Sequence, residues 1–514
     1  MYLVLFFVTS NKPSVNTVRS TKSFMKGCLC IDVPKKIAYN SLKCVTKYYI
    51  GDAKMRIDQD CLGKMEVKDD ALYGIHSLRA VHNFPITSEK VHPAILESML
   101  EIKLAAAKAN LKADTLSKSK ADAIINACKK LIDNHDYRAF IVPAIQGGAG
   151  TSTNMSANEV VAQLAYQMTD IKIHPNDDVN QSQSTNDTFP TAGKMGMLKL
   201  APKLLQSIDN LINQFTELSI QHQKTIKIAR TQLQDAIPTT YGRSFKAYAS
   251  LFKRDYKRIR NAAKNLTIIN LGGTAIGNGL NASEYYQNNI VPILSEVSGL
   301  NLQQADDLID ATQNCDSFAE FSGALKTLAM NLSKVANDLR LLSSGPQTGL
   351  NEISLPKKAA GSSIMPGKIN PVIPEVVNQV AFEVIGKNLT VSLAAEGGQL
   401  ELNAFEPIMF RDILTSEEHL TKAIETLINN CLKGIQVNAQ YNRKNVEKSA
   451  ITATVLTPKI GYEKATSIVK EALNKNISVK KLVLDKQLLD SATVENLFSP
   501  EVLTNCDNQD SAIQ

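Results

Sequence analysis

The chain has 514 residues, 44% of them apolar and 21% charged, the profile of a globular protein with material for several domains. Its net charge of +7 resides in residues 1–54, which hold nine Lys or Arg against two acids, while the remainder balances at 48 and 48. That distribution gives no support to a nucleic-acid surface, and no run of about eighteen apolar residues supports a membrane span.

The first segment opens on an apolar run, Tyr2 to Val8, and then turns Ser/Thr/Lys-rich and nearly acid-free. It lacks the leading charge and small-residue cleavage site of a secretory signal. Two readings stay open: an organellar targeting peptide, or an extension ahead of a true start at Met55. Of eight cysteines, Cys28, Cys30 and Cys44 lie in this segment and the other five are scattered without a Cys-x-x-Cys unit. Neither a disulfide scaffold nor a zinc knuckle follows, and a reducing, cytoplasmic setting fits best.

From Met55 to Pro93 the residues are polar and turn-rich, after which Ile95 to Ala107 reads as an alanine-rich packed helix and Ala121 to Leu131 as its partner. Gly147-Gly148-Ala149-Gly150 breaks the pattern without the spacing of a nucleotide-binding loop. Between Lys194 and Arg230, Leu198, Leu204, Leu205, Ile208, Leu211, Ile212, Phe215 and Leu218 repeat near period 3.6. Further helices are predicted at about 239–269, 284–298, 316–343, 374–396 and 405–433, and short ones at 442–453, 461–473 and 479–489.

These patterns predict a mainly α protein: a basic extension (1–54), an N-terminal domain (55–185), a central helical-bundle domain (186–440) and a small C-terminal helical domain (441–514). Helices of 25–35 residues serve as struts in bundles, and apolar stripes on more than one side predict association between subunits.

Four polar clusters interrupt the helices: residues 150–154, 174–187, 230–235 and 361–370. Taken singly, each has an ordinary structural explanation, since Ser184-Thr185-Asn186-Asp187 would cap a helix, Gln232 would bond between helices, and Lys368 would be a solvated charge. His174 is equally a cap or packing residue. Together they hold hydroxyls, carboxamides and one fixed cation, an inventory that surrounds carboxylates without excess compensating charge. Such donors suit elimination next to a carboxylate, where proton removal creates a doubly charged aci-carboxylate.

The run Gly361-Ser362-Ser363-Ile364-Met365-Pro366-Gly367-Lys368-Ile369-Asn370 resembles the signature of the fumarase/aspartase superfamily, and the chain from Met55 to about residue 495 resembles its aspartase branch throughout. Asn370-Pro371-Val372-Ile373-Pro374-Glu375 and Asp70-Ala71-Leu72-Tyr73-Gly74-Ile75-His76 carry the same likeness. So does Gln232, at a position where fumarases have His. Ala229, where the family has Gly, and a shortened segment between Asn154 and His174 depart from the pattern without removing a site residue.

The resemblance implies an aspartase/fumarase-like fold, with a central long-helix bundle shared in a homotetramer and sites built from three subunits. It implies reversible deamination of L-aspartate to fumarate and ammonium, with Ser362 as the base that takes the β-proton. Lys368 and Asn370 would hold the α-carboxylate, Thr151, Ser184, Thr185 and Ser363 the β-carboxylate, and Asn186, Thr231 and Gln232 the amino group. The loop beginning at His174 is similar to a secondary anion site. No organic cofactor is implied, and magnesium stimulation is left open because no ligand cluster stands out. The alternatives are class II fumarase-type hydration of fumarate to L-malate, or a catalytically silent structural member.

Overall fold

Where the sequence suggested only polar turns after Met55, the chain pairs β1 (Met55–Asp60) with β2 (Gly63–Lys68) and then forms helix α1 (Ile75–Asn83). Alternation does occur in β1, but its more buried members are charged: Arg56 faces Asp58 at 3.1 Å and Arg79 reaches Asp60 at 2.6 Å. An inverted pattern of this kind carries no apolar signal to read. The structure, a computed structural model, describes residues 54–505; the expectations for the first 53 residues and for Cys506 fall outside them.

Three helices follow: α2 (Pro93–Lys112), α3 (Lys118–Asp133) and α4 (Thr151–Thr169). Then comes α5 (Thr185–Gln221), 37 residues or about 55 Å at roughly 1.5 Å per residue. It stops nine residues before Arg230, where the 3.6 periodicity was expected to reach; its last apolar contributors are Leu218 and Ile220, and the segment beyond is the antiparallel hairpin of β3 (Ile226–Thr231) and β4 (Gln234–Thr240). Pro190 and Pro202 lie inside α5, which tertiary packing sustains despite the lost amide donors.

The remaining struts are α6 (Tyr241–Asn265), α7 (Glu284–Ser298), the short α8 (Leu308–Gln313), α9 (Asp316–Leu342), α10 (Val372–Glu396) and α11 (Glu406–Asn430). Apart from α8, which the periodicity did not indicate, their ends agree with it to within a few residues. The mainly α expectation holds, the described strands being short two-stranded pairs.

Side-chain pairs fix the direction of each strut. Phe215 stacks on Phe245 and Phe252, so α6 returns along α5. Tyr248 OH donates to Asp338 and Asn265 Nδ2 to Glu320, which sets α9 antiparallel to α6. Asn378 and Asn388 bond to Ser333 and Ser322, turning α10 back along α9. Phe189 and Phe410, with centroids 5.1 Å apart, start α5 and α11 together. A single apolar core runs from residue 91 to 435, and residues 453–494 form a second, smaller cluster among the C-terminal helices.

The bundle therefore has two functional ends. At one lie the N-termini of α4, α5 and α9; at the other lie the β3–β4 hairpin and residues 343–371, which follow α9. Phe215 is wholly buried among three aromatic rings in the last turns of α5, close to the hairpin end. Phe215→Ala is expected to cost about 3–5 kcal/mol, read as a lowered guanidinium midpoint of unfolding.

Candidate functional site

The N-termini of α4 and α5 meet. Thr151 begins α4, and Ser184 caps α5 in a reciprocal box: its Oγ accepts backbone N–H bonds while Asp187 Oδ1 accepts from Ser184 N at 2.9 Å. Asn154 Nδ2 donates to Thr185 Oγ1 at 3.2 Å. Ser184 and Thr185 thus spend their oxygens as acceptors, which leaves their hydroxyl protons free to donate. Two helix N-termini add partial positive charge at the same place, so the cluster is preorganised for an anion.

Behind it sits a lysine that sequence reasoning missed. Lys103, wholly buried on α2, donates to Asn154 Oδ1 at 2.6 Å, Asn180 Oδ1 at 3.0 Å and Gln183 Oε1 at 2.8 Å. Burial pulls its ammonium down to about 7, with the nearby Asp187 opposing that change. Three carbonyl oxygens converge on three N–H protons, the arrangement a cation requires. A partial signal was available: in Ile102-Lys103-Leu104-Ala105-Ala106-Ala107, a lysine stands inside an otherwise apolar stretch that the helix buries, although its partners could not be read from it.

Asp187 is equally buried, and burial pushes its carboxyl up to about 6 against the pull of the Ser184, Thr274 and Gly272 N–H groups and of Lys103. His174 caps the short turn Pro175–Val179, its Nδ1 accepting from Asp177 N at 3.0 Å.

The hairpin cluster lies elsewhere. Thr231 and Gln234 pair across a two-residue turn in which Gln232 (φ 53°) and Leu233 (φ 64°) are both left-handed. Asn-Gly fills such a turn at little cost; Gln-Leu accepts strain that holds Gln232 at the tip. The base of the hairpin is tied to buried Glu352, which accepts from Tyr241 OH at 2.8 Å and faces Lys227 at 3.3 Å and Arg230. Near the tip, Ser449 Oγ donates to Asp235 Oδ2 at 2.8 Å, tying the turn to the C-terminal helices.

The third piece is the 361–370 loop. Gly361 N donates to Lys368 O and Asn370 Nδ2 to Gly361 O, both at 2.9 Å, closing the loop on itself. A Cβ at Gly361 would lie 2.3 Å from the Lys368 carbonyl, so only glycine fits. Ser362 Oγ receives the N–H groups of Ile364 at 3.1 Å and Met365 at 2.9 Å. Such bonds are ordinary in a serine turn, and they also stabilise negative charge on the oxygen. Ser363 and Lys368 are exposed, and Asn370 keeps a second amide proton for another acceptor.

One chain thus joins Thr151, Ser184, Thr185 and Asn186 but not the other two groups. Among the described residues, no hydrogen bond or ion pair links Thr231, Gln232, Ser362, Ser363, Lys368 or Asn370 to that cluster. The length of α5 separates Ser184 from the hairpin, and α9, at about 40 Å for 27 residues, separates it from the Ser362 loop. No group of three or more metal-ligating side chains occurs among the described residues.

Two family models match, Lyase over residues 63–386 and Fumarase C C-terminus over residues 453–505. Aspartate ammonia-lyase of Pseudomonas aeruginosa is 48% identical over 458 residues, covering 87% of this chain and 97% of that relative. The chain belongs to the aspartate ammonia-lyase family. Among solved structures, the Brucella melitensis protein described as fumarate lyase:delta crystallin bound to cobalt superposes with a TM-score of 0.85 at 44% identity, over 87% of this chain and 99% of its own. Class II fumarase of Schistosoma mansoni reaches the same TM-score at 32% identity, covering 88% of this chain and 100% of that one. Aspartate ammonia-lyases and fumarases therefore share this architecture, and side chains must separate their chemistries.

Lys103→Met would take from Gln183 Oε1 its only side-chain donor among the described residues and leave Asn154 Oδ1 and Asn180 Oδ1 with neutral donors alone. The expected result is a loss of about 3 kcal/mol or more in stability, read as a lowered midpoint of chemical unfolding with the helical signal retained below it.

Proposed function

We infer that this chain catalyses the reversible deamination of L-aspartate to fumarate and ammonium, as a carbon–nitrogen lyase. The structural observation that carries the chemistry is the pair of backbone N–H groups on Ser362 Oγ, because a hydroxyl serves as a base only when its alkoxide is stabilised. Likeness to aspartate ammonia-lyases over nearly their whole length supports the choice of substrate.

In this mechanism the Ser362 alkoxide takes a proton from C3 of aspartate. The electron pair moves onto the β-carboxylate, forming an aci-carboxylate that Thr151, Ser184, Thr185 and Ser363 receive through hydroxyl and helix N-terminal donors. Lys368 and Asn370 hold the α-carboxylate, the Lys contributing a charge-assisted bond. Collapse of the pair expels ammonia from C2, and ammonia with the abstracted proton makes ammonium. An ammonium group already carries the proton it leaves with, so the neutral amide of Gln232 suffices beside it. Hydroxide loss from malate would require a general acid there.

The site is completed by association. On α10, Phe382, Leu389 and Leu393 are each 62% exposed on one face, and Gly386 between them meets no atom within 4 Å of an added Cβ. Met330 and Leu341 on α9 are exposed as well. An apolar face with a glycine gap in mid-helix suits close approach of the same helices from other copies, in a homotetramer with sites built from three chains.

Purified protein is expected to form fumarate, seen as ultraviolet absorbance, from L-aspartate and not from L-malate; fumarate from malate alone would overturn the reading. Ser362→Ala should lower kcat at least about 1000-fold with helical content and assembly unchanged. Leu389→Glu should dissociate the assembly by light scattering and abolish activity in parallel.

A further inference from the structure

Asn186 is held at both ends by one loop. Its main-chain carbonyl accepts from Asn270 Nδ2 at 2.9 Å, and its side-chain Nδ2 donates to the Ala275 carbonyl at 2.8 Å. The second bond decides the orientation of the carboxamide: a carbonyl oxygen can only accept, so the atom facing Ala275 is the NH2 group. Asn186 Oδ1 is thereby turned away, and it receives no hydrogen bond among the described residues. The loop is itself anchored, since Asp187 Oδ2 accepts the N–H groups of Gly272 and Thr274, each at 3.1 Å. Thr274 is left-handed at φ 55°, and Gly277 and Gly279 at 97° and 67° complete the bend that aims the Ala275 carbonyl back at α5.

We propose that the loop of residues 272–279 is a specificity element for the amino group: by binding Asn186 Nδ2 at Ala275, it presents Asn186 Oδ1 as a fixed acceptor for the leaving nitrogen. This rests on the reading of the chain as an aspartate-deaminating enzyme with Asn186 beside that nitrogen. A substrate ammonium brings three N–H donors and a positive charge to such an acceptor; a hydroxyl brings one neutral donor. The discrimination is set by backbone geometry, and Ala275 contributes no side-chain chemistry to it. Residues 272–279 act through Asn186 and are positioning residues.

The loop can be displaced by substitutions that lie outside α5. A Cβ on Gly277 would lie 2.4 Å from the backbone of Leu308 and Ile309, so Gly277→Ala must move the loop. Gly279→Ala is the milder displacement, because its methyl meets the end of the Gln287 side chain. The test measures ammonia addition to fumarate by the full chain and both variants, with succinate as a competing dicarboxylate that lacks an amino group. The expected result is an ammonium KM raised about 10-fold or more in at least one folded variant, with the fumarate KM and succinate inhibition within about 2-fold of wild type. An unmoved ammonium KM in the folded variants, or a proportional weakening of fumarate and succinate, would overturn the proposal. Failure of the wild-type chain to add ammonia to fumarate would instead overturn the reading on which it rests.

Discussion

A rigid helix of 37 residues stands between Ser184 and Gln232, and that separation governs everything else in the molecule. Residues that bind opposite ends of a four-carbon dicarboxylate must lie within a few ångströms of it, yet α5 and α9 keep their clusters tens of ångströms apart. The same struts give each cluster a stiff mounting. Under the proposed assembly, other copies bring the far end of one bundle to the near end of another, and the cost of rigidity within a chain becomes precision between chains.

Each cluster is shaped before the others arrive. Lys103 orders three carboxamides, one of which, Asn154, orders Thr185; Asp187 ties the start of α5 to the 272–279 loop; Glu352 and Ser449 hold the hairpin at its base and near its tip. These contacts are buried or partly buried, and each joins segments far apart in the chain. A site assembled from such parts needs little reorganisation when charge develops in the transition state. The single loop built mainly on its own hydrogen bonds is the one carrying Ser362, consistent with a base that must approach the substrate and withdraw.

Helix positions were legible because apolar side chains repeat near 3.6 along α2, α5, α6, α9, α10 and α11, and their ends fell within a few residues except in α5. The prolines of α5 and the charged inner face of β1 show where local pattern fails: packing overrode one, and ion pairs replaced apolar alternation in the other. The signature from Gly361 to Asn370 was legible as a contiguous string. The roles of Asn180, Gln183 and Glu352 were not, and Lys103 showed only as a charge in an apolar stretch, since each role depends on which distant carbonyls and cations the fold brings together. Read alone, Ser184-Thr185-Asn186-Asp187 looked like a helix cap. It is one, and the capping geometry is what frees the hydroxyl protons for an anion.

Mixing two differently damaged chains tests the separation most directly. Ser362→Ala and Thr185→Val proteins, each inactive alone, would be unfolded together and refolded into mixed assemblies, then assayed for fumarate formation from L-aspartate. Recovery of a substantial fraction of wild-type activity, absent when each variant is refolded alone, is the predicted result, because some sites in a mixed assembly draw only intact clusters. Mixed assemblies that form and stay inactive would contradict the account, by showing that both residues must come from one chain.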